Sequence, residues 1–412
     1  IDFMFLKRFL YKLLPTPLKN GINNIHLKDF IQQLGKEKRE TAVIERLKKQ
    51  EEIHVVFIAM SVAFWKYDEL FKLMLQHKKF KPIVLLQPRI TDLKETQNVH
   101  IEQMEKFFKE RNFPYVKDFK TIKSDIVFYA QPYKNSVPEC LRPYNLKDKL
   151  TCYVPYAFFI SNYSWAYNSM LHKLAWKCFY PTELHKINAK EICYNQGKNV
   201  EIVGYSLYDQ FKTEVKTDPW RSKDKKRIIW AVHHSILNDD LAECSTFLKY
   251  AEFMKTFAIE NQNLEIAFKP HPHLKEHLYK HEDWGKEKTD AYFDFWKNSS
   301  NTFFAEGNYI DLFKTSDAMI HDCGSFTVEY LYVNKPILYI GNERDKILCN
   351  FGKMAMEANY TLNDFSIEEF IDTLHIDKKN QVRTEFLQKY LIPPNNKTFS
   401  QNILDLLEGY LK

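Results

Sequence analysis

Glycine is scarce in this chain, with 10 among 412 residues, and none falls in a GxGxxG pattern. A glycine-rich dinucleotide fingerprint is thereby excluded. The seven cysteines (Cys140, Cys152, Cys178, Cys193, Cys244, Cys323 and Cys349) are scattered, odd in number and never paired as CxxC. That distribution fits reduced, cytosolic thiols and speaks against a disulfide framework or a zinc site. There is no HExxH, no carboxylate triad and no Cys/His ligand spacing, so no protein-held metal and no cofactor are expected. Internal repeats and low-complexity tracts are also missing. The net charge of +6 is modest; it suits an anionic substrate or a membrane surface and does not call for nucleic acid.

What is present is globular: 45% hydrophobic, 27% charged and rich in aromatic residues. A chain this long exceeds one ordinary core and predicts two domains of roughly 150–200 residues each. From Phe5 to Leu14 the apolar residues fall in pairs (Phe5/Leu6, Phe9/Leu10, Leu13/Leu14) while Lys7, Arg8 and Lys12 face away, until Pro15 stops the pattern. This is a short amphipathic helix, too short to span a bilayer and without a small-residue cleavage site. It can lie on an anionic leaflet or pack on the protein's own body. Met4 reads as the natural start. Residues 28–52 continue as a charged helical connector.

Continuous β-branched runs then alternate with helical patterns. Ile53–Met60, Pro82–Gln87, Asp125–Tyr129, Leu150–Phe159 and Val200–Gly204 read as strands, with helices over Tyr67–Gln76 and Asn98–Arg111. The charged stretch Lys212–Arg227 reads as a linker. A second series starts at Arg227–Val232 and continues through a helix from about Leu241 to Glu260, a strand ending at Phe268, a helix over Tyr309–Thr315 and strands Ala318–Ile320 and Ile337–Ile340. The fold class is therefore α/β with two Rossmann-like, doubly wound parallel sheets and an N-terminal helical extension. The expected divisions are 1–50 (extension), 51–215, 216–395 and a C-terminal helix over 396–412 that packs back.

Three strands of the second half end in histidine-bearing loops: His233-His234-Ser235, Lys269-Pro270-His271-Pro272-His273 and His321-Asp322-Cys323-Gly324-Ser325. All three loops should share the carboxyl edge of one sheet, where anionic ligands bind. A lone histidine after a strand is more often a hydrogen-bonded loop residue, but three at one edge make a site the economical reading. His271 and His273 are two apart, so in an extended loop they point to opposite faces. Asp322 can position an imidazole, act as base or cap a helix. Glu329 can accept ribose hydroxyls or stabilise its own helix.

These motifs carry a resemblance. Lys269-Pro270-His271-Pro272, followed by Ser316-Asp317 and His321 to Phe326, then Glu329-Tyr330-Leu331 and Asn334-Lys335-Pro336, resembles the CDP-glycerol glycerophosphotransferase family of teichoic-acid and capsule polymerases. That family carries an (R/K)PHP loop and, some fifty residues later, an SDxxITDYSSxxxDYxxxxKP segment. IIWAVHHS (228–235), NVEIVGYSLYD (199–209) and Tyr153-Val154-Pro155-Tyr156 are similar to further family segments, so the resemblance runs over about residues 50–390 and is strongest from 200 onward. It implies a GT-B fold in which the second domain binds the donor and the acceptor lies between domains.

By the same resemblance, His271, His233 and Asp322 are the catalytic candidates. His234, Ser235, Lys269, His321, Gly324, Ser325, Phe326 and Glu329 are the implied donor or phosphate ligands, and Tyr156 lies on the acceptor side. The implied substrates are a CDP-linked donor and a polymer or lipid-linked acceptor, handled in the cytoplasm at the inner face of the membrane. The chain departs from the family where an HGTPxK loop carries its base histidine, because Tyr156-Ala157-Phe158 stands there. A hexosyltransferase using a UDP- or GDP-sugar and a catalytically silent scaffold of the same fold stay open as alternatives.

Overall fold

The computed structural model describes residues 35–133, 136–237, 245–307, 309–341 and 348–412. The amphipathic helix expected over residues 5–14 lies outside them. The first sheet contains β1 (Ile53–Ala59), β2 (Phe80–Leu86), β3 (Tyr115–Val116), β4 (Ile126–Tyr129), β5 (Leu150–Tyr153), β6 (Lys177–Tyr180) and β7 (Val200–Ile202). Its order is β3-β2-β1-β4-β5-β6-β7, and every pairing is parallel. The second sheet contains β8 (Lys226–Val232), β9 (Leu264–Pro270), β10 (Thr302–Phe304), β11 (Ala318–His321), β12 (Ile337–Tyr339) and β13 (Tyr360–Thr361). Its order is β10-β9-β8-β11-β12-β13, again parallel throughout.

The continuous apolar runs form central strands because helices cover both faces and leave no polar side. β9 is buried at every position and β1 at all but His54. In each sheet the chain winds outward from a central strand, returns and winds the other way. The reversal falls between β1 and β4 in the first sheet and between β8 and β11 in the second. Crevices at such reversals are where doubly wound sheets take ligands.

Boundaries moved in physically sensible ways. The helix expected from Leu241 runs over Phe247–Glu260 in the described residues, and the strand expected to reach Phe159 ends at Tyr153. Past Tyr153 the chain leaves the sheet and packs on the second half. There Phe158, stacked on Tyr205 of its own half at 3.9 Å, faces Phe351 at 5.6 Å. The Cys349 N–H donates to the Ile160 carbonyl at 2.9 Å. The Lys212–Arg227 stretch is strapped to the second half, with Arg221 and Ser222 N–H groups donating to the buried Glu265 carboxylate at 2.9 Å each. The C-terminal helix Phe399–Leu411 returns to the first half, where Phe399, Ile403, Leu407 and Leu411 join the core containing Leu47, Phe71 and Met74. Its start is anchored by the Asp209 carboxylate, which accepts the N–H groups of Phe399 and Ser400.

Candidate functional site: a histidine-lined sheet edge

β9, β8 and β11 are neighbours, so their three terminal loops stand side by side at one carboxyl edge. The His271 N–H extends the ladder by donating to the Val232 carbonyl at 2.8 Å, and the Asp322 N–H reaches the Ala231 carbonyl at 3.3 Å. This brings the His233, His234 and His271 rings together. Ring centroids are 4.3 Å apart for His233–His234, 4.2 Å for His234–His271 and 5.4 Å for His233–His271.

His273 and His277, which carried no assigned role, complete the cluster at 5.7 and 4.9 Å from His234. The opposite-face expectation for His271 and His273 is corrected. His273 adopts an αR conformation at the entry of the helix Leu274–Lys280, so the loop is not extended and the two rings lie 5.3 Å apart. The first half faces this cluster with Arg89 and His100, whose charges act on His273.

Several ring nitrogens have defined roles. His271 Nδ1 accepts the His273 N–H at 3.2 Å, and His233 Nδ1 accepts the Ser235 N–H at 3.3 Å. In their neutral forms both therefore carry the proton on Nε2. His277 Nδ1 donates to the His234 carbonyl at 3.0 Å. His234 Nδ1 is buried with no hydrogen-bond partner among the described residues. Burial, and then the neighbouring imidazoles, hold His234 down to about 3 and His271 well below the ordinary histidine value. His234 and His271 are thus neutral at physiological pH. An incoming phosphate would relieve this, since a negative charge favours the protonated form. No group of three or more His, Cys, Asp or Glu side chains among the described residues is placed to hold a metal ion.

Three site expectations are corrected. His321 is fully buried, with Nδ1 bonded to the Cys323 carbonyl at 3.1 Å and Nε2 near Asn359 Oδ1 at 3.3 Å, so both nitrogens are engaged inside the fold. Asp322 is 1% exposed, and its carboxylate accepts the His233 N–H (2.6 Å), the Thr246 N–H (2.6 Å) and the Thr246 hydroxyl (2.9 Å). It braces the His233 loop against the start of the helix Phe247–Glu260 and does not face a substrate. Glu329 is also buried, and its two oxygens accept the Tyr205 and Tyr309 hydroxyls at 2.6 Å each, leaving it closed to a ribose.

The remaining candidates lie at or near the edge. Ser235 is buried with its hydroxyl 2.8 Å from His233 Nδ1. Gly324 and Ser325 are half-buried at the turn, and Phe326 packs on Tyr309 and Phe313 at 5.2 and 5.1 Å. The helix they open, Phe326–Glu329, is one α-turn continued by a 3₁₀ turn. It is too short to present the macrodipole expected of it. Lys269 is 9% exposed, and burial pushes its ammonium down to about 8. Tyr156, on the facing half, packs edge-on to Phe64 at 4.9 Å, with its hydroxyl 3.2 Å from that of Tyr133. Lys66, Arg89, His100 and Tyr309 were missed because nothing local marks them. The only available signal for Lys66, Arg89 and Tyr309 was their place just after strand ends; His100 lies within the helix Lys94–Glu110.

Residues 167–347 match the family model described as CDP-Glycerol:Poly(glycerophosphate) glycerophosphotransferase. No curated protein matches the chain. Among solved structures, the UDP-GlcNAc 2-epimerase of Neisseria meningitidis bound to UDP-GlcNAc is 12% identical over 87% of this chain and 100% of its own, with a TM-score of 0.56. A variant of the wall teichoic acid polymerase TagF is 11% identical over 94% of this chain and 98% of its own, with a TM-score of 0.53. A glycosyltransferase from Rickettsia africae is 11% identical over 88% and 100%, with a TM-score of 0.52. At such identities the likeness establishes the fold alone, two GT-B-type sheets.

Proposed function

We propose that the protein transfers a polyol phosphate, of the glycerol-phosphate type, from a CDP-linked donor to a hydroxyl of a growing surface polymer. The observation that carries this reading is the cluster of imidazoles around His234 beside the buried Lys269, at the switch point of the sheet within the family-matched stretch. In this reading residues 216–395 hold the donor, 51–215 face the acceptor, and 1–50 place the protein on the inner membrane surface. Among the described residues no helix is long and apolar enough to cross a membrane.

The pyrophosphate lies against His233, His234 and His271, with Ser235, Gly324 and Ser325 at its margin. The acceptor oxygen forms a bond to the distal phosphorus. The bond from that phosphorus to the bridging oxygen breaks, and its electron pair leaves with CMP. The hydroxyl proton passes to an imidazole of the cluster, in place of the histidine of the HGTPxK loop that this chain lacks, while His271, whose Nδ1 already accepts the His273 N–H, presents its Nε2–H to a phosphate oxygen. Fixed donors aimed at the moving charge supply most of the acceleration in such a reaction.

The test is to incubate the protein with CDP-glycerol and other CDP-, UDP- and GDP-linked donors, with and without EDTA, and record which nucleotide is released. CMP release that depends on acceptor supports the reading. Release of UDP or GDP would promote a hexosyltransferase, and no release from any donor would favour a silent scaffold.

A further inference from the structure

The loop after β1 borders the switch point of the first sheet and carries Lys66 across to the second half. There Lys66 and Lys269 bring their ammonium groups to one ring, 5.5 and 5.2 Å from the centroid of Tyr309. The carboxylate whose charge acts on both is Glu329, and each of its oxygens already accepts a phenol, Tyr205 from the first half and Tyr309 from the second. Among the described residues neither ammonium has a hydrogen-bond acceptor or a salt-bridge partner. Of the other acids acting on them, Asp68 is held by Arg111 and the Trp65 indole, and Glu306 is exposed.

The charge count leaves two cations against one buried carboxylate. Lys269 is 9% exposed and Lys66 is half-buried, so hydration offsets little of that excess. Buried charge is retained where something of opposite sign meets it. Burial lowers both lysines below the ordinary value, and for Lys269 the like charge of Lys66 adds to the effect. Lys269 also acts on His271, two residues on, so the pair adjoins the histidine cluster.

We propose that Lys66 and Lys269 form a clamp for the phosphoryl group in transit, with one jaw supplied by each half of the molecule. The identity of that group rests on the donor reading above; the anion site itself does not. The second half alone holds the nucleoside and its inner phosphate. Lys66 completes the cation pair only where the acceptor-facing half approaches. As the acceptor oxygen bonds to phosphorus and the electron pair departs on CMP, both ammoniums face the non-bridging oxygens and neither gives up its proton. Lys66 is therefore a charge-stabilising residue that contributes to transfer more than to nucleotide affinity, and this explains why a cation from the first half is aimed at the donor edge.

Two measurements on the full chain test this. The first is CMP release from CDP-glycerol by wild type, Lys66→Met and Lys66→Arg. The clamp predicts a kcat lowered roughly 10²–10³-fold in Lys66→Met, an unchanged Kd for CMP, which lacks the distal phosphate, and recovery of most of the loss in Lys66→Arg. The second is labelling of wild type with pyridoxal 5′-phosphate and borohydride, mapped by peptide, with and without inorganic pyrophosphate; shielding of both Lys66 and Lys269 is expected. Wild-type turnover in Lys66→Met, or a Lys66 as reactive with pyrophosphate as without, overturns the clamp and leaves the donor reading intact. If wild type releases no CMP but pyrophosphate shields both lysines, the donor reading falls and the clamp stands. The labelling arm uses wild-type protein, so a poorly folding variant does not remove the test.

Discussion

Asp322→Asn separates two jobs an acidic residue beside an imidazole could do, catalysis and bracing. The carboxyl is buried, and burial pushes it from 3.8 up to about 6, against the opposing pull of the N–H groups of Thr246 and His233. A folded value above the unfolded one means the native state binds the proton more tightly. The stabilisation is fully present below the unfolded value and is lost as pH rises through the folded one. A rise of about 2 units corresponds to about 3 kcal/mol over the full range, of which about 2 kcal/mol falls between about pH 4.5 and 7.5.

Asparagine does not titrate, so the variant should gain about 2 kcal/mol on wild type across that interval. Superimposed is a pH-independent loss, because an amide NH₂ would face one of the N–H donors; an unmet buried donor costs about 1–3 kcal/mol. Urea unfolding at the two pH values, followed by tryptophan fluorescence, reads both terms. Parallel pH profiles for wild type and variant would refute the argument that this carboxyl is held up by burial. Full stability with a large loss of turnover would restore Asp322 to the catalytic list.

Three further outcomes are expected. His271→Ala should lower CMP release from CDP-glycerol by roughly 10²–10⁴ through loss of proton transfer within the cluster or of its Nε2–H donor to the phosphate, and wild-type turnover in the folded variant would remove His271 from the reaction. Gly352→Ala would set a Cβ 2.2 Å from the Ile160 carbonyl oxygen, in backbone that joins the two halves; we expect a loss of about 1–3 kcal/mol, and an unchanged thermal midpoint would show that this contact yields freely. Deleting residues 1–15 should weaken sedimentation with anionic liposomes while leaving turnover of soluble substrates intact, and equal liposome binding would favour a helix packed on the body of the protein.

Legibility followed burial. β1, β8, β9 and β11 stood out because central parallel strands are continuous apolar runs, and the histidines at the ends of the last three marked the sheet edge. β6 (Lys177–Tyr180), β10 (Thr302–Phe304) and the helix Gly285–Asn298 escaped notice. The strands are three or four residues long, and the helix interleaves its buried Thr289, Tyr292, Phe293 and Trp296 with charge. Position along a strand end says nothing about which way a side chain turns. His321 closes β11 and points into the core toward Asn359, while His233 ends the adjacent strand in the cluster. Residues that meet across the two halves have no sequence signal at all, since Lys66 and Tyr309 are separated by most of both sheets.

The histidine edge and the inter-half contacts form one continuous structure. Asp322 ties the His233 loop to β11, three residues later Ser325 opens the turn leading to Glu329, and Glu329 is gripped by a tyrosine from each sheet's side of the cleft. Tyr205, which makes the first-half contact, stacks on Phe158, whose chain neighbours run past Tyr156 on the acceptor side. A change in the spacing of the halves must therefore alter Glu329 and the two lysines near it before it reaches the imidazoles. Transfer is the step most sensitive to that spacing. Nucleotide binding, built on loops of one sheet, is the least sensitive.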